Sequence, residues 1–110
     1  MRALSNTFKR ILDCIRVGDV RVSEHGYDEF VEDDITIQEV LNGAATAIAV
    51  EDYPDFHKGP CVLVLEWDKN NQPMHVVWGI PIGCDGPAVL VTAYRPDSEK
   101  WNEDFTKRTK

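Results

Sequence analysis

Three histidines are the side chains of this chain best suited to proton transfer near neutral pH. They are His25, His57 and His75, and imidazole has an ordinary pKa close to neutrality. His25 follows Ser23 and Glu24 at the predicted start of a helix, where the positive helix end disfavours an imidazolium. The ring would therefore stay neutral and available as a general base. The competing interpretation is that His25 is a second capping group.

The other two histidines differ in their predicted surroundings. His75 lies in a predicted strand, on the same face as Val77 and Gly79. It is either an acid–base residue or a core histidine bonded to a backbone carbonyl. His57 falls in a predicted turn over residues 57–60, which indicates a solvated loop residue.

Tyr94 and Arg95 are adjacent at the end of the last predicted strand. A hydroxyl beside a guanidinium can hold an anionic group or stabilise the charge on a phosphate in a transition state. The alternative for Arg95 is an ion pair with the acidic helices. His25, His75, Tyr94 and Arg95 are therefore the candidate catalytic residues.

The sequence contains no recognisable motif for a metal or a cofactor. The three cysteines, Cys14, Cys61 and Cys84, are odd in number and widely spaced, which fits neither a disulfide framework nor a zinc knuckle. H-x-x-x-H, P-loop and G-x-G-x-x-G patterns are not found. We therefore predict no cofactor and no metal, with a site built from His25, His75 and a cysteine as a minor alternative.

The apolar spacing predicts helices in the first half of the chain. Residues 4–15 carry an apolar stripe at helical spacing, and Gly18 suits the end of that helix. A short strand over residues 19–22 precedes a second helix, which Ser23 caps and which runs to about Glu32. The side chains predicted to face inward from this second helix are Tyr27, Phe30 and Val31.

A third helix begins at a capping box formed by Thr36 and Glu39 and closes at Gly43. Beyond it the apolar period changes to two, which is the period of a strand. Four antiparallel strands are predicted in a meander, over residues 46–53, 61–67, 74–80 and 88–94. A short C-terminal helix follows, with Trp101 and Phe105 one turn apart.

These elements predict one α+β domain over residues 1–110. The composition, with 43% hydrophobic and 28% charged residues, is that of an ordinary globular protein. The helices are expected on one side of an antiparallel sheet of about four strands, with the short strand at its edge. Along the chain we predict an N-terminal helix (1–18), a core (19–105) and a frayed tail (106–110).

The net charge of −7 resides in the helical half of the chain. Residues 1–55 contain 12 acidic and five basic side chains, and residues 56–110 contain seven of each. An acidic surface repels phosphate, so RNA is disfavoured as a partner, and the surface would suit a basic protein. The alternative is that the acidity serves only to keep the protein in solution. Neither a membrane-spanning run of ~20 apolar residues nor a signal-peptide pattern is present, so we predict a cytoplasmic protein without membrane contact.

Several short motifs, taken in order, resemble the pattern of a known family. The segment Ser23 to Gly26 opening a helix, followed by the segment Ile35 to Leu41, is similar to the opening of the bacterial domain-of-unknown-function 4258 family. Later segments that look like the rest of its pattern are 53–55, 59–63, 73–77, 93–97 and 100–101. The resemblance covers roughly residues 20–105.

The resemblance implies a fold similar to that of RelE- and BrnT-like toxins, with helices on one side of a curved antiparallel sheet. It also implies a toxin of a toxin–antitoxin pair that acts on RNA, with His25, His75 and Tyr94 as site residues and Arg95 beside them. Two features depart from the pattern. Glu29 stands where the family commonly has arginine, and the strands contain almost no basic residues to hold RNA.

Three functions follow as alternatives. The favoured one is a non-catalytic or degenerate toxin-fold module, which binds a basic partner protein or an antitoxin-like regulator through its acidic helical face or a sheet edge. The second is a RelE-like ribonuclease, in which His25 or His75 is the general base and Tyr94 or Arg95 assists at the phosphate. The third is a small-molecule or metal-dependent enzyme that uses the same histidines.

Overall fold

The structure is a computed structural model that describes residues 5–102 and 104–107, without the side chain of His25. Its elements follow in the order α1 (Asn6–Arg16), β1 (Val20–Val22), α2 (Glu24–Glu32), α3 (Ile37–Gly43), β2 (Ile48–Tyr53), β3 (Cys61–Trp67), β4 (Pro73–Gly79) and β5 (Ala88–Tyr94). A short 3-10 turn joins α3 to β2. Residues 1–4 of the predicted N-terminal helix and residues 108–110 of the predicted frayed tail lie outside the described residues.

Each helix begins at a hydroxyl side chain that accepts a backbone amide three residues further on. These hydrogen bonds are 3.0–3.1 Å long and join Ser5 to Phe8, Ser23 to Gly26 and Thr36 to Glu39. A cap of this kind stabilises a helix by about 1 kcal/mol. These bonds confirm the predicted helix starts at Ser23 and Thr36. The sequence could predict them because a cap involves only residues close together in the chain.

The five strands form one mixed sheet in the order β1-β5-β4-β3-β2. The predicted antiparallel meander from β2 to β5 is confirmed. The short strand β1 lies at the edge of the sheet, as predicted, and it pairs with β5 in parallel, with Val20 opposite Ala88. A parallel pair needs a long crossover between its strands, and the chain from α2 to β4 supplies one.

The apolar core lies between the helices and one face of the sheet. Helix α1 contributes Phe8 and Ile11, α2 contributes Phe30 and α3 contributes Val40. The strand residues packed against them are Val62, Val64, Met74, Val76, Trp78, Ala88, Leu90 and Ala93. The expected arrangement of helices on one side of the sheet is therefore met only roughly, because α2 contributes a single core residue. None of the helices within residues 5–102 and 104–107 is long and apolar enough to cross a membrane.

Helix α2 buries fewer side chains than its spacing predicts. Only Phe30 of the three expected inward residues is buried, whereas Tyr27 is 49% exposed and Val31 is 52% exposed. Helix α2 approaches β5 at Val91 and Thr92, next to the residues of β5 that pair with β1. A Cβ at Gly26 would overlap the backbone carbonyl of Val91, so the backbones of α2 and β5 meet closely at this point.

The predicted C-terminal helix is wrong. Residues 97–102 and 104–107 form turns and one isolated bridge residue, Trp101. The side chains of Asp97 and Asn102 accept nearby backbone amides, which competes with helix formation. Phe105 has a left-handed φ of 61°, which no α-helix accommodates. Trp101 packs on the imidazole of His75, and Phe105 contacts the same ring through its backbone carbonyl.

Candidate functional site

His75 and Tyr94 meet on the face of the sheet opposite the helices. They are direct partners in the β4–β5 register, while their neighbours Met74, Val76 and Ala93 point into the core. The two rings lie edge to face, with centroids 5.6 Å apart. Two of the four candidate catalytic residues are therefore brought together by strand pairing alone.

The C-terminal segment closes over His75. The ring of Trp101 stands edge-on to the imidazole at a centroid distance of 4.3 Å, and His75 is 0% exposed. Its Nε2 lies 2.8 Å from the carbonyl oxygen of Phe105. Because a carbonyl only accepts, Nε2 carries the proton. This is the environment of a core histidine bonded to a backbone carbonyl, one of the two alternatives that the sequence offers.

Arg95 lies beside this pair, and its guanidinium already has partners. Nη2 lies 2.9 Å from the carboxylate of Asp68, and Nη1 donates to the carbonyl of Pro73 at 3.3 Å. The pKa of Asp68 is held below its usual value, chiefly by the backbone amide of Gln72 and also by Arg95. The ion pair of Arg95 is thus made with the β3–β4 hairpin. Its link to the helical region is the backbone amide, which donates to Asp33 at 2.8 Å.

The two other histidines belong to other elements of the fold than His75. His25 is the second residue of α2, and its side chain lies outside the described part of the structure. His57 is exposed in the turn after β2, where its ring contacts Phe56 at a centroid distance of 4.6 Å. The solvated position predicted for His57 is therefore observed.

Glu66 was not among the predicted site residues, although it is the most unusual ionisable group in the described chain. It lies on β3 in the row of Val62 and Val64 that faces the core, and it is 1% exposed. Neither carboxylate oxygen has a hydrogen-bond partner among the residues that the structure describes. Burial raises the pKa of Glu66 to about 8, so the side chain is protonated at neutral pH. The sequence signal for this position is the alternation of side chains along β3, which puts Glu66 on the same face as Val62 and Val64.

The space for Glu66 is created by a glycine in α3. A Cβ at Gly43 would lie 2.8 Å from Oε1 of Glu66, which is closer than real Cβ atoms approach. The carboxyl group therefore packs directly against the helix backbone. With no solvent contact it cannot exchange protons with a substrate in this conformation, so it is a structural acid.

The described side chains do not form a metal centre. Within residues 5–102 and 104–107, no group of three His, Cys, Asp or Glu side chains is placed to hold a metal ion. The three cysteines are free thiols, buried at Cys14, partly buried at Cys61 and exposed at Cys84.

The outer side of α2 combines apolar and acidic side chains. Tyr27 and Val31 are exposed one turn apart, and the exposed acids Glu24, Asp28 and Glu32 flank them. A cleft of about 440 Å³ opens beside Tyr27 and Asp28. We call these five residues the acidic α2 surface. The helix contains no lysine or arginine.

The sequence matches the model of a protein family over residues 22–95. That family is described as Domain of unknown function (DUF4258). The chain belongs to this family. The family resemblance inferred from the short motifs is thereby confirmed. No curated protein and no solved structure matches the chain significantly.

The DUF4258 match contains most of the features described above. It spans the acidic α2 surface, Glu66, His75, Tyr94 and Arg95, whereas α1 and the segment that closes over His75 lie outside the matched range. In this DUF4258 domain, the burial of His75 therefore depends on Trp101 and Phe105, which follow the matched region.

Proposed function

We propose that this DUF4258 domain is a non-catalytic binding module of toxin-like, RelE/BrnT-related fold. The acidic α2 surface holds a basic, amphipathic segment of a partner protein, such as an antitoxin-like regulator. The observation that carries the proposal is the exposure of Tyr27 and Val31, 49% and 52%, amid acidic side chains on one helix. Apolar side chains give such a contact its affinity, and the surrounding charges select a basic partner.

The charge at the end of α2 supports the same function. Glu32, Asp33 and Asp34 lie at the negative end of the helix, and the last turn has no basic residue. Negative charge there opposes the helix dipole and costs several tenths of a kcal/mol per group. A basic partner segment would offset this cost when it binds.

The state of the candidate catalytic residues also supports a non-catalytic function. A general base must reach the proton that it removes. His75 has no solvent exposure, and the guanidinium of Arg95 is held by Asp68 and Pro73. An RNA substrate could contact His75 only after the C-terminal segment had moved away.

The binding function is tested by charge reversal on α2. The variant Asp28→Lys/Glu32→Lys and the control Asp55→Lys/Asp85→Lys change the net charge equally, and all four positions are exposed. Affinity capture from the native cell, with identification of bound proteins, is compared for the two variants and the wild type. We expect a salt-sensitive partner that binds the wild type and the control and is lost from the α2 variant.

A second variant separates the apolar contribution from charge. Tyr27→Ala should weaken binding of the same purified partner by about tenfold, because exposed aromatic anchors contribute most at interfaces. A partner held equally by wild type and α2 variant, or no salt-sensitive partner at all, would contradict the proposal.

A second candidate function is a RelE-like ribonuclease, and the contact between His75 and Tyr94 favours it. In this alternative the C-terminal segment opens, and a histidine removes the proton of a ribose 2′-hydroxyl. Induced expression should then arrest growth with RNA cleavage, and His25→Ala or Tyr94→Phe should abolish both. Undiminished toxicity in both variants would exclude this site.

A further inference from the structure

The sheet face opposite the helices is only partly covered. The Trp101 ring and the Phe105 carbonyl lie against His75 at one end, whereas at the other end the described residues leave an open groove of about 400 Å³. Small-molecule sites commonly have volumes of about 300–1,000 Å³. The apolar residues that line the groove are Phe56, Ile80, Pro81, Val77, Val89 and Val91.

The groove exists because a strand residue lacks a side chain. Gly79 lies at the end of β4 on the groove wall. A Cβ there would lie 3.6–3.7 Å from Pro60, Cys61 and Val91, which is ordinary contact. The backbone therefore does not require glycine at this position. A β-branched residue would suit the strand and fill the space.

Few polar groups line the groove. Lys58 is the one charged side chain among the described residues that line it. The thiol of Cys61 forms part of the wall, and burial, with Asp52 nearby, raises its pKa, so the thiol is neutral. An apolar cleft with one cation fits a molecule with an apolar chain and one negative group.

We propose that this groove binds a medium-chain aliphatic carboxylate, with the chain packed on Val77, Val89 and Val91 and the carboxylate paired with Lys58. The groove shares no residue with the acidic α2 surface. Fatty-acid binding and partner binding can therefore succeed or fail independently. The partly exposed ring of Phe56 stands beside the groove, where it can cover the bound chain.

The test uses decanoate as the probe and ¹⁵N-labelled full-length chain. Amide shifts and calorimetry should report saturable binding at one site, with the largest shifts in β4 and β5 around Val77 and Val91. Decanol, which has the same chain and no charge, should bind several-fold more weakly. Lys58→Gln should remove that preference, whereas the control Lys69→Gln, at an exposed hairpin position outside the groove, should keep it.

A variant with a larger side chain in the groove gives the decisive comparison with the wild type. Gly79→Val should weaken decanoate binding by about tenfold or more, because the added side chain occupies the volume that the ligand needs. If that variant does not fold, Val91→Trp fills the groove from a position that is already 38% exposed. Absence of saturable binding, equal affinity for decanol, or undiminished binding in a folded filled variant would overturn the proposal.

Discussion

The imidazole Nε2 of His75 lies 2.8 Å from the carbonyl oxygen of Phe105, a residue 30 positions further along the chain. This hydrogen bond joins the centre of β4 to a segment without regular secondary structure. Trp101 packs on the same imidazole and is 4% exposed. The histidine thus anchors the C-terminal segment, which in turn excludes water from the histidine.

Replacing the anchor should destabilise the fold. His75→Ala should lower the free energy of unfolding by about 2–4 kcal/mol, because it removes a buried ring and leaves the Phe105 carbonyl without its donor. Urea denaturation measures the change, and trypsin cleavage after Lys100 should become faster as the segment detaches. His57→Ala, at an exposed turn, should change stability by less than about 0.5 kcal/mol. Equal stability of the two variants would exclude an anchoring role.

The buried Glu66 should make stability depend on pH. Its pKa is about 8 in the folded chain, compared with an ordinary value of 4.5. Between these values the unfolded chain has lost the proton that the folded chain keeps. The free energy of unfolding should therefore fall as pH rises from about 4.5 to 8, by up to roughly 1.4 kcal/mol per pH unit.

Glu66→Gln should remove this pH dependence. The amide resembles the protonated acid in shape and cannot ionise, so the variant should gain most over the wild type near pH 8 and little near pH 4.5. Thermal melts at pH 5, 6.5 and 8 measure the difference, which should reach a few kcal/mol. A constant difference across these pH values would show that Glu66 does not keep its proton in the folded chain.

Gly26 should be intolerant of even a methyl group. Intrinsic helix propensity alone favours alanine over glycine by about 1 kcal/mol. The Cβ would, however, overlap the Val91 carbonyl, which belongs to a paired strand and cannot move freely. We expect Gly26→Ala to destabilise the fold by about 3 kcal/mol in thermal or urea denaturation. Gly79→Ala, whose Cβ makes ordinary contacts, should be nearly neutral, and a stabilising Gly26→Ala would contradict the close approach of α2 to β5.

Replacing Asp34 with glycine should stabilise the protein. Its φ of 58° is left-handed, which costs an L-residue about 1 kcal/mol relative to glycine. Asp34→Gly should therefore raise the melting temperature. Asp33→Gly should lower it, because the Asp33 carboxylate accepts the Arg95 amide at 2.8 Å. A loss of stability in Asp34→Gly would mean that the aspartate makes a compensating contact.

The elements that the sequence predicts correctly depend on short-range physics. The caps at Ser23 and Thr36 involve residues three positions apart. The bounds of β3 and β5, Cys61–Trp67 and Ala88–Tyr94, agree with the apolar runs and the residues that end them. The pairing of His75 with Tyr94 also follows from consecutive antiparallel strands, although the register needed the structure.

The features that the sequence did not predict depend on contacts between distant residues. Tyr27 and Val31 have the spacing of core residues, yet both are about half exposed in a helix that meets β5 closely at Gly26. Trp101 and Phe105 have helical spacing, but their contacts with His75 outweigh the weak helical preference of so short a segment. A carboxylate is expected at the surface, and only the absence of a side chain at Gly43 makes room for Glu66 in the core.

The sequence by itself therefore determined the family, the α+β class, the helix starts and the meander, because each rests on local patterns. The tertiary structure alone decided which of those residues are accessible. In the folded chain His75 is buried, Arg95 is paired with Asp68, and one side of α2 is exposed. These properties depend on packing between segments that are far apart in the chain. Two of the predicted catalytic residues, His75 and Arg95, are thus held by contacts with other segments, and Tyr27 and Val31, which were predicted to face the core, belong to the proposed binding surface.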